Sequence, residues 1–129
     1  MAQNASEDRS AMSFPELVSW AWRETPPVHR STANLIIHIV AVPMFVLGHI
    51  LLVVGLVVSP WWLAGAAVSI VVSLAAQKFG HSLEQNQVPL FTGPGDFIRR
   101  LYAEQFCNFW RFVFSGQWYA SFKASRSEA

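Results

Sequence analysis

Two long runs of apolar residues occupy the middle of the chain. The first covers residues 35–58, where the only interruptions are His38, Pro43 and His49. As a helix it extends about 36 Å at about 1.5 Å per residue, enough to cross a hydrocarbon core of about 30 Å. The second run covers residues 61–77 and could span about 25 Å. The pattern predicts two transmembrane helices, at residues 33–58 and 60–79.

Only Ser59 and Pro60 separate these runs. So short a connection makes the two helices antiparallel, as in a helical hairpin. The second run is rich in the small side chains that let helices approach closely in lipid. These are Gly65, Ala66, Ala67, Ser69, Ser73 and Ala75. The alternative is a soluble hairpin buried in a bundle, but no other segment is large enough to cover both helices. We expect an all-α integral membrane protein built on an antiparallel transmembrane helical hairpin.

Shorter amphipathic segments flank the hairpin. Ser13 and Glu16 have the spacing of a capping box, which predicts a short helix at residues 14–24. The polar residues 1–12 predict a disordered N-terminus, and residues 124–129 predict a tail. The ordered part, residues 13–123, is expected to form a single membrane domain.

The C-terminal third predicts an interfacial helix at residues 96–122, with Asp96 as its N-cap after the TGPGD turn. A helical wheel divides this segment into an apolar and a polar face. The apolar face contains Ile98, Tyr102, Phe106, Phe109, Trp110, Phe112 and Val113. The polar face contains Arg100, Glu104, Asn108 and Arg111. We expect the aromatic face to sink into the membrane interface and the charges to point outward.

Charge sets the expected orientation and excludes some partners. All nine basic and eight acidic residues lie outside residues 31–77. Because every basic residue lies on the side of the two termini, the positive-inside rule predicts cytoplasmic termini, in a bacterial inner membrane or the endoplasmic reticulum. The net charge of +1, without a basic stripe, excludes nucleic acid as a partner. The polar first 30 residues argue against a cleaved signal peptide, and Cys107 has no partner cysteine.

Three of the four histidines are predicted to meet at the cytoplasmic mouth of the hairpin. His38 precedes the connecting turn by about as many residues as His81 follows it, so regular helices place both at one depth. Asn34 lies one turn from His38, and Glu84 lies one turn from His81. His29 precedes the expected helix cap, Ser31 or Thr32, and could fold over the same mouth.

Such a cluster is typical of a metal site, because three imidazoles with open positions suit a redox or hydrolytic metal. Glu84 could complete the ligands or orient a histidine. Two alternatives stay open. Interfacial histidines can simply snorkel or bond a backbone carbonyl, and Asn34 can cap a helix or tie helices together.

His49 stands apart from this cluster. It shares a helix face with His38 but lies about 16 Å deeper, too far to reach the same ion. An intramembrane polar residue is a functional candidate by default. We assign His49 to helix packing or to the inner wall of a substrate channel.

The motifs resemble those of the 2-hydroxy-fatty-acid dioxygenase family of small membrane proteins. The pattern His29-x4-Asn34-x3-His38, followed by Pro43, resembles the first family signature. The segment QKFGHSLEQNQVP, residues 77–89, resembles the second signature, and Gly-Asp-Phe at residues 95–97 agrees as well. The resemblance covers residues 25–120.

The resemblance implies an iron(II)-dependent enzyme that uses dioxygen as co-substrate to shorten a 2-hydroxy fatty acid by one carbon during α-oxidation. It implies His29, His38 and His81 as iron ligands, with Glu84 and Asn34 beside them as catalytic residues. The aromatic C-terminal helix would roof the site and exclude water.

The lipid substrate would enter from the bilayer. Its chain would lie against Phe45 and Leu52, with His49 nearby. The family usually has a basic residue where this chain has Val88, and glycine near Ala41. Arg99 or Arg100 could take over binding of the substrate carboxylate.

Two other classes of function remain compatible with the residues. One is a non-catalytic scaffold or assembly hairpin whose histidines only bond backbone. The other is a metal or proton carrier in which His38 and His49 bind the transported ion or proton in succession through the bilayer. The sequence leaves open the chain length and stereochemistry of the substrate, iron against zinc or manganese, and whether the chain forms a homo-oligomer.

Overall fold

A computed structural model describes residues 8–128, which are almost entirely helical and contain no strand. Residues 1–7 and 129, parts of the predicted disordered N-terminus and tail, lie outside this described range. The α-helices are α1 Phe14–Glu24, α2 Thr32–Val57, α3 Trp61–Ser82, α4 Pro94–Ala103, α5 Phe109–Phe114 and α6 Gln117–Ser127. A π-helical turn, Glu104–Asn108, joins α4 to α5, and short 3-10 turns cover Arg9–Ala11 and Pro26–Val28.

Helix α1 follows the predicted capping box. The Ser13 hydroxyl accepts a hydrogen bond from the Glu16 backbone N–H, while the Glu16 carboxylate accepts one from the Ser13 N–H. This reciprocal pair satisfies two backbone donors that the first turn would otherwise leave open. The predicted bounds, 14–24, are confirmed. The inner face of α1 buries Leu17, Trp20 and Ala21.

Helices α2 and α3 are both long and apolar enough to cross a membrane. Residues near the start of α2 contact residues late in α3, so the contacts run in opposite directions along the two helices. Ser73 donates a hydrogen bond to the Ala41 carbonyl and Ser69 donates one to the Met44 carbonyl, while Gly48 lies against Ile70. Of the small residues predicted to permit close approach, Ala66, Ser69 and Ser73 lie at this contact. The other three, Gly65, Ala67 and Ala75, are exposed. The hydroxyls of these two serines are thereby satisfied by carbonyls of the opposite helix.

The outward sides of α2 and α3 expose large apolar side chains. Trp61 is 88% exposed and Val57 is 78% exposed, both at the end where the helices connect. Such a surface is unfavourable in water and suits an apolar surrounding.

The C-terminal third differs from the single predicted helix at residues 96–122. The π-helical turn interrupts it after Ala103, and Gly116, with a left-handed φ of 85°, ends α5 before α6 begins. The predicted division into faces is therefore wrong in part. Arg100 and Asn108, predicted to point outward, are buried, and Phe109 and Phe112, predicted to face the membrane interface, are buried within the protein.

For the residues after Ala103, the physical reason is the extra residue in the π-helical turn. An i→i+5 turn shifts the phase of every residue after it relative to a 100° wheel, and Phe109 and Phe112 are buried against the rest of the protein. Arg100 precedes the turn and is buried because its guanidinium donates to the carbonyls of Pro89 and Leu90.

An ion pair ties the N-terminal segment to α4. The Arg9 guanidinium donates to both carboxylate oxygens of Asp96, at 3.0 and 2.8 Å, and to the Leu90 carbonyl at 2.9 Å. Residues 9–11 are therefore helical rather than disordered, and Arg9 is 3% exposed. Gly93, not Asp96, occupies the N-cap of α4. Asp96 lies in the first turn of α4, where its negative charge stabilises the N-terminus of the helix. Its carboxylate also accepts a hydrogen bond from the Thr92 N–H.

Substituting Gly55 with alanine tests the contact between α2 and α3. A Cβ at Gly55 would lie 2.9 Å from the Leu63 backbone nitrogen, and backbone cannot yield as a side chain can. We expect Gly55→Ala to lower the free energy of unfolding by about 1–3 kcal/mol, measured by SDS titration in mixed micelles. Gly65→Ala is the matched control, because its Cβ meets only Leu51 Cδ1 at 3.7 Å. Equal effects of the two substitutions would contradict this packing.

The Arg9–Asp96 pair predicts a pH-dependent contribution to stability. Hydrogen bonding and charge from Arg9 lower the pKa of Asp96 to about 2, so the stabilisation is complete above about pH 4 and is lost as the pH falls towards 2. We expect Asp96→Asn to lose about 1–2 kcal/mol at pH 7, and the difference from the wild type to vanish near pH 2. Glu128→Gln, which alters an exposed carboxylate, is the control and should show no such pattern. A pH-independent effect of Asp96→Asn would rule out the ionic contribution.

Candidate metal centre

Three histidines from separate parts of the chain meet in one buried cluster. His29 follows the turn Pro26–Val28, His38 lies near the start of α2, and His81 lies near the end of α3. The ring centroids are 4.6 Å apart for His29–His38 and for His38–His81, and 5.0 Å apart for His29–His81. One ring nitrogen from each histidine lies within 4.8 Å of the other two.

Backbone carbonyls determine which nitrogens of two rings carry the hydrogen. His29 Nδ1 lies 2.7 Å from the Thr25 carbonyl, and His38 Nδ1 lies 3.0 Å from the Asn34 carbonyl. A carbonyl can only accept, so Nδ1 of each ring must be the donor, and in a neutral ring Nε2 then holds a lone pair. Metal-bound histidines show this same arrangement, with the distal N–H on a carbonyl.

Two ring nitrogens of the cluster have no hydrogen-bond partner. His29 Nε2 and His81 Nδ1 are both buried and unbonded. An unsatisfied buried polar atom costs about 1–3 kcal/mol, so a cluster of purely structural histidines would be expected to bond these nitrogens. A divalent cation accepts the lone pairs of imidazole and would satisfy them.

Burial also keeps His29 in the form that binds metals. Its ring is 1% exposed, and desolvation lowers its pKa to about 4, against a smaller opposing effect of the hydrogen bond to Thr25. The imidazole is therefore neutral at physiological pH. The donor set of three neutral imidazoles fits a divalent transition metal with open coordination positions.

Glu84 and Asn34 lie beside the cluster but serve the helix ends. One Glu84 oxygen, Oε1, accepts hydrogen bonds from the backbone N–H groups of Arg30 and Ser31, both at 2.9 Å, and from Asn34 Nδ2 at 2.8 Å. Its negative charge thus caps the N-terminus of α2. Asn34 Nδ2 also donates to the Val28 carbonyl. These bonds hold together the segments that carry the three histidines.

Two phenylalanines cover the cluster. Phe112 packs against His29 with ring centroids 5.6 Å apart, and Phe109 packs against His38 at 6.4 Å. Both are at most 1% exposed. The C-terminal segment therefore covers the histidines with apolar rings, as the sequence predicts, and limits the access of water.

A cavity of about 620 Å³ adjoins the cluster and reaches His29 and His81. Much of its wall is apolar, with contributions from α1, α3 and α4, including Ala21, Leu74, Phe97 and Leu101. Its polar side chains include Arg100 and Glu104. A volume of this size falls in the range of small-molecule sites.

The predicted substrate-binding residues lie in different places. Arg100 lines the cavity, where its guanidinium stacks on Phe91 at 4.2 Å. Arg99 lies outside the cavity wall and donates to the backbone carbonyls of Arg9 and Met12. Of the two arginines proposed to bind a carboxylate, the structure brings only Arg100 to the cavity.

Phe45 and His49 also lie outside the cavity wall. Phe45 is 1% exposed and packs its ring 4.5 Å from that of His49. His49 is bonded on both nitrogens, Nδ1 to the Phe45 carbonyl at 2.9 Å and Nε2 to the Tyr102 hydroxyl at 2.8 Å. His49 was predicted to serve either helix packing or the wall of a substrate channel. Its contacts agree with packing, because they connect α2 to α4.

Sequence reasoning missed several polar residues of the cavity. Glu104 was assigned to an outward face, and Thr25 was given no role. The side chains of Gln77 and Gln105 form a reciprocal pair of buried hydrogen bonds, at 3.0 and 2.6 Å, between α3 and the π-helical turn. The spacing of Arg100 and Glu104, one turn apart, was the available signal that the two act together.

The cluster predicts which histidines hold a metal. After anaerobic loading with Fe²⁺, we expect about one iron per detergent-purified chain and loss of most of it in His29→Ala, His38→Ala and His81→Ala. His49→Ala is the matched control, because both ring nitrogens of His49 already have partners. Inductively coupled plasma mass spectrometry measures the iron content of each variant. Iron retained in all three variants, or lost equally in His49→Ala, would contradict the site.

No protein-family model, curated protein or solved structure matches this chain. The geometry of the described residues and the resemblance of three short motifs are therefore the observations that indicate a function. Of these, the geometry of the three histidines is the more specific observation.

Proposed function

We propose that this chain is an iron(II)-dependent dioxygenase that shortens 2-hydroxy fatty acids by one carbon at a membrane interface. The observation that carries the proposal is the cluster of His29, His38 and His81, whose ring nitrogens converge beside a largely apolar cavity, two of them without a hydrogen-bond partner. The same three histidines are those that the motif resemblance implies as iron ligands. A metal site next to an apolar cavity suits a lipid with a polar head.

We propose that α2 and α3 form an antiparallel transmembrane hairpin. Three observations support it: both helices are long enough, their contacts run in reversed order, and their outer sides expose apolar residues. The basic residues on the side of the termini favour a cytoplasmic position for both ends. The histidine cluster then lies at the cytoplasmic mouth, and the exposed Trp61 lies at the opposite end.

The cavity supports an amphiphilic substrate. The apolar wall formed by Leu74, Phe97 and Leu101 accommodates an acyl chain, and the Arg100 guanidinium provides a positive charge for a carboxylate. Arg9, at 2.8 Å, is the closer partner of Asp96, whereas Arg100 lies 3.6 Å from it. Asp96 therefore neutralises only one of these two positive charges.

Each protein group has a limited role in this proposal. The histidines would hold iron(II), which supplies the activation of dioxygen that protein side chains cannot provide. Arg100 orients the substrate carboxylate. Phe109 and Phe112 exclude water from the histidines, and Glu84 and Asn34 hold the histidine-bearing segments in place.

Oxygen consumption tests the activity. We expect iron-loaded wild-type protein to consume dioxygen with 2-hydroxypalmitate but not with palmitate, and His38→Ala to lose at least 99% of the rate. Arg100→Gln should raise KM roughly ten- to hundredfold by removing a charge-assisted contact. A Clark electrode measures uptake, and mass spectrometry identifies the shortened product.

The controls separate the competing functions. Arg99→Gln alters the neighbouring arginine, which lies outside the cavity wall, and should leave KM within about threefold of wild type. A metal or proton carrier would depend strongly on His49, whereas the dioxygenase tolerates His49→Ala. An iron-loaded wild type that consumes no dioxygen with 2-hydroxypalmitate would overturn the proposal, and a wild type without bound metal would favour a scaffold.

A further inference from the structure

Glu104 is a buried carboxyl group that the iron site does not use. It begins the π-helical turn, one helical turn after Arg100, and it lines the cavity. Its Oε1 atom is buried and has no hydrogen-bond partner. A π-helical turn is frequent at functional sites, where it places side chains that a regular helix would turn away.

Thr25 bonds one oxygen of Glu104 and leaves the other without a partner. Thr25 Oγ1 lies 3.0 Å from the Ala21 carbonyl and 3.3 Å from Glu104 Oε2, and its hydrogen is shared between these two acceptors. Oε2 is therefore an acceptor, and a hydrogen carried by Glu104 lies on Oε1, which has no hydrogen-bond partner. An ionised carboxylate buried with so few hydrogen bonds would be costly, which favours the neutral acid.

The surroundings of Glu104 favour the neutral acid. Desolvation raises its pKa to about 7, against the smaller opposing effects of Thr25 and Arg100. A carboxylic acid can present one oxygen as an acceptor and the other as a donor. With the hydrogen on the unbonded Oε1, the group would donate a hydrogen bond into the cavity.

We infer that Glu104, as a neutral acid, donates a hydrogen bond to the substrate carboxylate and acts with Arg100 as the residue pair that selects a free fatty acid. Arg100 supplies the charge and Glu104 the second donor, so the two together match the two oxygens of one carboxylate. This inference rests on the proposed function, because it concerns the substrate of that same cavity.

The position of the pair is consistent with the rest of the site. Thr25 contacts Glu104 through its hydroxyl and His29 through its carbonyl, so the carboxyl group and the metal cluster lie on opposite sides of one residue. Arg100, Glu104, His29 and His81 line one cavity, so a substrate carboxylate held by the pair would share that cavity with the histidines. The acyl chain then follows the apolar wall at Leu74 and Leu101.

Equilibrium binding of radiolabelled ligands to anaerobic, iron-loaded protein in detergent tests the inference. The probes are 2-hydroxypalmitate and hexadecan-2-ol, which keeps the hydroxyl but has a methyl group in place of the carboxylate. We expect Glu104→Leu to weaken binding of 2-hydroxypalmitate roughly ten- to hundredfold and to change binding of hexadecan-2-ol less than about twofold.

The isosteric variant separates a neutral donor from a charged group. The amide of Glu104→Gln can donate a hydrogen bond, so this variant should bind 2-hydroxypalmitate at least about fivefold more tightly than Glu104→Leu. Were Glu104 ionised in the complex, Glu104→Gln would relieve repulsion and bind more tightly than wild type, which would overturn the inference. Glu128→Gln, an exposed glutamate, is the surface control.

Iron content and thermal unfolding distinguish a binding defect from misfolding. Both should match wild type in Glu104→Leu and in Glu104→Gln. Wild-type affinity in Glu104→Leu, or equal weakening of both ligands, would overturn the role of Glu104 and leave the dioxygenase proposal intact. A wild type that does not bind 2-hydroxypalmitate would overturn both.

Discussion

The close approach of α2 and α3 near the histidines is the constraint on which the rest of the site depends. A Cβ at Gly80 would lie 2.3 Å from Asn34 Oδ1, so glycine lets the Asn34 side chain pass between the helices. Asn34 then reaches Glu84, which caps α2. Because this contact fixes the relative position of the two helices along their axes, it brings His38 level with His81. A slip of one helical turn would move one ring about 5 Å away.

The site combines two opposing requirements of metal binding in an apolar setting. Three imidazole rings must be buried, yet their free nitrogens must not be bonded to the protein. The chain meets both by donating the Nδ1 hydrogens of His29 and His38 to backbone carbonyls and covering the rings with Phe109 and Phe112. Backbone carbonyls are suitable partners because they are fixed in place and carry no net charge. The lone pairs that remain can bind a cation or a proton, and burial disfavours the proton.

The sequence pattern was enough to predict those features that depend on residues close together in the chain. The capping box predicts α1 because Ser13 and Glu16 bond within one turn. The apolar runs predict α2 and α3 because length and composition decide whether a helix can cross a bilayer. Equal spacing from the turn places His38 and His81 at one level, since regular helices rise uniformly. The predictions failed where the backbone departs from regularity, as at the π-helical turn, and where a distant group intervenes, as Arg9 does at Asp96.

By itself, the sequence determined that the chain is helical, that two helices are predominantly apolar, and that three histidines occur where those helices begin and end. These follow from periodicity and spacing, which are properties of neighbouring residues. Only the tertiary structure decided that Glu84 caps a helix, that Arg100 rather than Arg99 lines the cavity, and that Glu104 faces inward. The reason is geometric: a residue's direction depends on the phase of its helix and on the segments packed against it, and a single inserted residue in the π-helical turn changes that phase.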